Sequence, residues 1–375
     1  MHIPDGYLSP QTCAVGFAAA VPVWALAARR VSSVVKTRNV PMLAIFSALS
    51  FLVMMFNVPI PDGTTAHAVG GSIIAICLGP WAAVIAVSVA LAFQALLFGD
   101  GGVLVYGVNC VNMAIVLPFV AYGVYRLLSG RAALASRRRV VAAAVGAYVG
   151  INAAALAAAV ELGIQPGLFH TASGAPLYSP YHLSQTIPAM ALPHLTVAGA
   201  AEAILTGAVL AYLQRADIGR LVANHRGIAL TEADVVLRPA RLSPARVAVA
   251  AMGVMALLTP LGLLAPGGAF GEDSPEQLDL HSLGLSSVPA GLDRYNGFWS
   301  HTLLGGYGLS SGDHADAAYM LSALVGIVVV GSVAFAVSKV FVAVGRKRGR
   351  DRPADPDADA NADTGTDLER SRTHA

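Results

Sequence analysis

Ala68-Val69-Gly70-Gly71-Ser72-Ile73-Ile74-Ala75-Ile76-Cys77-Leu78-Gly79-Pro80-Trp81 opens an apolar run that continues to Phe98, 31 residues in all. A helix crossing roughly 30 Å of hydrocarbon needs about 20 residues, so the run exceeds one crossing and barely allows two. Pro80 lacks an amide proton and pushes Gly79 out of the helical region. The expectation is a tight pair of spans, 68–78 and 81–98, the first one short, closed by the turn Gly99-Asp100-Gly101-Gly102.

Outward from this run the chain repeats the same theme. Apolar stretches cover about 9–28, 41–58, 103–128, 140–162, 187–213, 247–264 and 318–344, which makes nine spans in total. Of the 375 residues 55% are hydrophobic and 12% charged, and mean hydropathy is +0.63. A soluble domain carries about 25% charged residues, so the composition reads as an all-α polytopic membrane protein. Cys13, Cys77 and Cys110 lie in or beside apolar runs without a CxxC spacing and read as small buried hydrophobes.

Charge tests the span count. Lys and Arg crowd the loops 29–38, 126–139 and 215–246 and the segment from 346. The loops 59–67, 99–102 and 163–185 have no basic residue, and 265–317 has only Arg294. With nine spans the two classes alternate strictly, as the positive-inside rule requires. Counting 68–98 as one span would put Arg126 to Arg139 on the side of the bare loops. The N-terminus is thus expected outside and the C-terminus in the cytoplasm. A seven-span unit, 1–215, is followed by a basic cytoplasmic linker, 216–245, and a two-span unit, 246–345, with an outer loop at 265–317. The tail 346–375, rich in Asp, Ala and Pro, has a composition expected to stay disordered.

This topology puts the opening residues Met1-His2-Ile3-Pro4-Asp5-Gly6-Tyr7-Leu8 and the loop carrying His67 on one membrane face. A histidine follows the opening methionine directly, where a signal peptide would carry a basic n-region and an apolar run, so no targeting leader is expected. With Met1 unblocked, its α-amine, the His2 amide once deprotonated and the His2 Nδ1 would close a five- and a six-membered chelate ring. Such a tetragonal nitrogen field suits Cu(II) or Ni(II), and His67 is the nearest imidazole for the remaining corner. Pro4-Asp5-Gly6 reads as a turn that folds the terminus back into the bundle. Asn109 and Asn112, in the outer third of their span, are candidates to satisfy the buried backbone there or the second nitrogen of a ligating histidine. Glu202 lies within a span, where an ionisable group is read as functional. It is a way-point for protons or cations, or a helix–helix hydrogen bond, and His194 shares the same reading. The commoner role of each residue is bland: a solvated loop histidine, interhelical amides, turn aspartates.

The opening octapeptide resembles the signature of the CbiM/NikM proteins, substrate-binding S components of energy-coupling factor transporters for cobalt and nickel. Asn57-Val58-Pro59, Gly63-Thr64-Thr65-Ala66-His67-Ala68-Val69-Gly70-Gly71, Leu78-Gly79-Pro80-Trp81, Gly107-Val108-Asn109-Cys110-Val111-Asn112-Met113 and the stretch from His194 to Thr206 are similar to that family as well. The resemblance covers about 1–215. It implies a seven-helix bundle and a square plane of nitrogens from Met1, His2 and His67. It also implies a transmembrane coupling subunit and cytoplasmic ATPases as partners in the cell membrane. Ni2+ or Co2+ would then be the transported substrate, with no permanent cofactor, no nucleic acid and no enzymatic activity of the chain's own. The unit 246–345 resembles the small two-span N component fused to some members. Its Asp273-Ser274-Pro275-Glu276-Gln277-Leu278 stands where the nickel type usually carries Pro-Asp-Gly-Leu-Glu, which leaves both metals open.

Two other classes compete. An intramembrane metalloprotease would need an HExxH motif, and the sequence has none. A transporter working without ATPases would be expected to show internal repeats, and the two halves share no similarity.

Overall fold

The computed structural model describes residues 1–34, 40–60, 65–222, 225, 243–264, 269–309 and 314–350. Residues 61–64 of the expected loop 59–67, most of the basic linker and the tail beyond 350 lie outside the described residues. Among the described residues nine main helices follow one another: α1 (Pro10–Val34), α2 (Val40–Met55), α3 (Gly71–Leu78), α4 (Pro80–Phe98), α5 (Tyr106–Ser129), α6 (Arg137–Leu168), α7 (Leu183–Ala216), α8 (Pro244–Leu264) and α9 (Ala315–Arg350). Seven of them, all but α2 and α3, are long and apolar enough to cross a membrane. Val15, Leu26, Val141 and Ile204 are exposed on them, as apolar faces against lipid would be. The protein is an all-α multi-pass membrane protein.

The predicted hairpin at 68–98 takes the form of a short helix and a long one. Gly79, at φ 94°, separates α3 from α4, and Pro80 starts α4, where its missing amide proton costs nothing. α3 has eight residues, about 12 Å of helix, and most of its residues are buried. The helical part alone is too short to cross. The expected span 68–78 is helical only from Gly71: β2 (Thr65–Ala66) pairs antiparallel with β1 (Val58–Pro59), residues 67–70 after it are irregular, and Gly70 at φ 74° turns the backbone into the helix. Hydropathy cannot separate buried irregular chain from buried helix, so the sequence overestimated this helix.

α3 and α4 form the centre, and α5 and α6 pack along one another beside them. α1 crosses α5 closely at Gly107, where an added Cβ would lie 2.6 Å from the Phe17 nitrogen. α9 packs along α2 and also touches α1 and α4. The segment 269–309 lies against the ends of the bundle helices. Leu304 N and Trp299 Nε1 donate to the carbonyls of Leu97 and Leu96, at 3.0 and 2.8 Å. Gly291 N donates to Leu177 O at 2.7 Å. The opening residues of the chain are enclosed between this segment and the bundle.

Candidate metal centre

Residues 1–9 are folded into the bundle, and their buried backbone groups find partners there. The Asn109 amide pairs with both sides of Ile3: Ile3 N donates to Oδ1 and Nδ2 donates to Ile3 O, each at 3.0 Å. Gly102 N also donates to Ile3 O, at 3.1 Å. The Asp5 carboxylate accepts from Val103, Leu104 and Val105 N at 3.1, 2.9 and 3.2 Å. These amides precede the first turn of α5, where unpaired donors and the helix dipole favour a negative charge. Ser9 N donates to Gln165 Oε1, and the Tyr7 hydroxyl donates to Asp273 O at 2.8 Å. Gly102 permits the closest approach. A Cβ there would lie 2.0 Å from Asp5 Oδ1 and 2.5 Å from the Asp5 nitrogen. Gly102→Ala is expected to displace Asp5 and the terminus with it, at a cost of roughly 1–3 kcal/mol. Thermal melts and nickel titration of the purified variant check this; a wild-type melt and affinity would contradict it.

His67 is positioned from two sides. The β1–β2 ribbon fixes the residues before it. After it, Glu202 Oε2 accepts from Val69 N and Gly70 N at 2.8 Å each, and Oε1 accepts from Ser72 N at 3.2 Å. Ser50 Oγ donates to Val69 O at 2.7 Å. Glu202 thus holds the backbone that carries His67 and caps the start of α3.

Met1, His2 and His67 come together, each less than 5% exposed. The two imidazoles stack with centroids 5.0 Å apart and planes at 28°. His67 Nδ1 lies 2.9 Å from Ala68 O, so Nδ1 carries the proton and the lone pair sits on Nε2, which is buried and unpartnered among the described residues. His2 Nδ1 lies 3.3 Å from Asp100 Oδ1, and the Met1 amine 3.9 Å from Glu272 Oε1. Burial, then the Met1 ammonium charge, lowers the His2 pKa to about 3. Burial, the same ammonium and His2 lower that of His67. Both rings are therefore neutral bases, the form that binds metals. Burial raises the Asp100 carboxyl against its bond from Tyr307, and burial raises Glu272 to about 7 against the pull of the ammonium.

Among the described residues, no group of three or more His, Cys, Asp or Glu side chains is placed to hold a metal. The nitrogen donors that meet here are two imidazoles, a terminal amine and the backbone amide between them. Asp100 and Glu272 are the carboxyl groups beside them.

Of the other candidates, Asn109 serves the Ile3 backbone, and the second nitrogen of His67 goes to Ala68 O. Asn112 is turned away: its Nδ2 donates to Glu161 Oε2 at 2.6 Å. His194 is buried in α7, its Nδ1 2.7 Å from Met190 O. The sequence reading passed over Gln94, Asp100, Glu272, Tyr307 and Glu161. Gln94 and Glu161 carried a signal, a polar side chain inside an apolar span. Asp100 was hidden by its glycine-rich turn, and Glu272 and Tyr307 by their distance along the chain.

The family model for the cobalt uptake substrate-specific transmembrane region, CbiM, matches residues 2–218. A fused nickel transport protein NikMN of Rhodobacter capsulatus is 48% identical over 342 residues, covering 88% of this chain and 95% of that protein. A probable fused nickel transport protein LarMN of Lactiplantibacillus plantarum is 44% identical, with 88% and 95% covered. Among solved structures, a transition metal transporter with 56% identity superposes at a TM-score of 0.55, covering 60% of this chain and all of that one.

Proposed function

The chain belongs to the CbiM family, in the fused form of its nickel-transport relatives, and from that membership we propose that it captures Ni(II) for an ATP-driven importer of the energy-coupling factor type. Co(II) is the competing cargo. The ligands are the Met1 amine, the His2 amide nitrogen and Nδ1, and His67 Nε2. The observation that carries this reading is the stacking of His2 on His67, 5.0 Å apart, beside a buried chain terminus. Nickel is preferred because an amide gives up its proton only to a metal that rewards strong in-plane nitrogen ligands. A transmembrane coupling subunit and cytoplasmic ATPases supply the energy, and the chain itself is not an enzyme. The basic loops face the cytoplasm and the metal centre faces outward, in keeping with the charge pattern. The 246–345 unit serves as the N component, covering the site with its outer segment.

Titration of the full chain in detergent with Ni(II) and Co(II) tests the reading. One equivalent of nickel should bind as a yellow, diamagnetic complex, and cobalt more weakly. A paramagnetic six-coordinate nickel spectrum would overturn the nitrogen plane. Binding through the amine and the amide releases protons, so nickel affinity should rise with pH. The rise should be about tenfold per unit for each proton released. The imidazoles, already neutral, should add nothing to that slope near neutrality; an affinity flat with pH would exclude the amine and amide as ligands. Nickel uptake by cells that persists after deletion of the partner ATPases would favour a transporter working alone.

A further inference from the structure

The His2 ring reaches the metal in this ligand set only through Nδ1, because Nε2 cannot close the six-membered ring. A neutral imidazole has one proton, so a metal on Nδ1 requires the proton on Nε2. His2 is buried, and a buried N–H needs an acceptor. Such an acceptor stands ready. The Gln94 side chain borders His2. Among the described residues its Oε1 is buried without a hydrogen-bond partner, and so is His2 Nε2.

The amide cannot be turned the other way. Gln94 Nε2 donates to Asp100 Oδ2 and to the Tyr307 oxygen, each at 3.1 Å. The Tyr307 hydroxyl in turn donates to Asp100 Oδ2. A carboxylate accepts only, so the NH2 group must face Asp100 and the carbonyl oxygen is left toward His2. Asp100 keeps its other oxygen, Oδ1, 3.3 Å from His2 Nδ1. The pocket therefore offers one partner to each tautomer. With the proton on Nδ1 the ring bonds Asp100; with the proton on Nε2 it bonds Gln94, and two unpartnered buried atoms become a pair.

Resting on the ligand set proposed above, we propose that Gln94, oriented by Asp100 and by Tyr307 of the outer segment, is the positioning residue that selects the metal-binding tautomer of His2. Tyr307 belongs to the 246–345 unit, so that unit enters the metal centre through this amide. A purely structural role, pinning 269–309 to α4, would leave the tautomer and the nickel affinity untouched.

The test uses the full chain in detergent, NiCl2 as probe, and 15N-labelled histidine. In the loaded wild type the His2 resonance should report a protonated Nε2. Gln94→Leu should lower nickel affinity by about 10- to 100-fold, and Tyr307→Phe should lower it less. The swap Gln94→Glu with Asp100→Asn keeps one carboxylate and one amide, leaves an acceptor on Nε2–H, and should recover at least part of the loss. A loaded wild type with Nε2 unprotonated overturns the proposal, as does Gln94→Leu at unchanged affinity with a planar wild-type complex. A wild-type complex without the planar spectrum removes the ligand set and this proposal with it.

Discussion

Acetylation of the Met1 amine is expected to abolish nickel binding. The amine would become an amide nitrogen, and the chain would keep no free amine to anchor the five-membered ring. The pocket leaves no room for a substitute, since Met1 and His2 are each 4% exposed and Ile3 is tied to Asn109 on both its amide and its carbonyl. The chelate loses its terminal member, and the amide loses the neighbour that helps a metal displace its proton. Isothermal titration should register no saturable nickel binding, whereas the unblocked chain binds one equivalent. His67→Ala should be milder, because a water can take the fourth corner. Full affinity in the acetylated chain would sink the role given to the amine.

Glu202→Ala should have the next largest effect, although this side chain touches neither imidazole. Its two oxygens satisfy three amides, those of Val69, Gly70 and Ser72, in a buried position. Removing it strands those donors, at about 1–3 kcal/mol for each buried group left unpaired. The backbone beyond His67 would then rearrange to find partners, and the imbalance would fall on the residue that must aim Nε2 at the metal. We expect a clear drop in melting temperature and a loss of nickel affinity of at least ~100-fold, the upper range for partners of metal ligands. Glu202→Gln keeps an acceptor for Val69 and Gly70 but turns an NH2 toward Ser72, so it should fall between the two. An alanine variant with reduced stability and unchanged affinity would confine Glu202 to holding the helices.

Both predictions concern residues flagged in the sequence for different reasons. Met1, His2 and His67 were legible because their chemistry is carried by residue type and terminal position, and because charge in the loops put them on one face. Glu202 was legible only as an ionisable group in a span; that it works as an anchor for the His67 turn depends on α7 lying beside α3. Asn109 and Asn112 looked alike in sequence, three residues apart in one span. The structure separates them: Asn109 faces the terminus and Asn112 faces Glu161. A π-helical stretch from Cys110 to Val116 lies between and around them and changes the angular step that regular helical spacing would assign.

Helix number and the apolar identity of the membrane faces are properties of local composition, because hydrocarbon must be met by apolar side chains over a set length. The sequence alone determined those. It could not determine that α3 is eight residues long, because burial looks the same to irregular and helical chain. Nor could it bring Asp100, Gln94, Glu272 and Tyr307 to one imidazole and one amine. Those contacts join segments as far apart as Met1 and Glu272, and only the packing of the outer segment over the chain terminus decides them, through hydrogen bonds that buried polar groups must make wherever the fold delivers a partner.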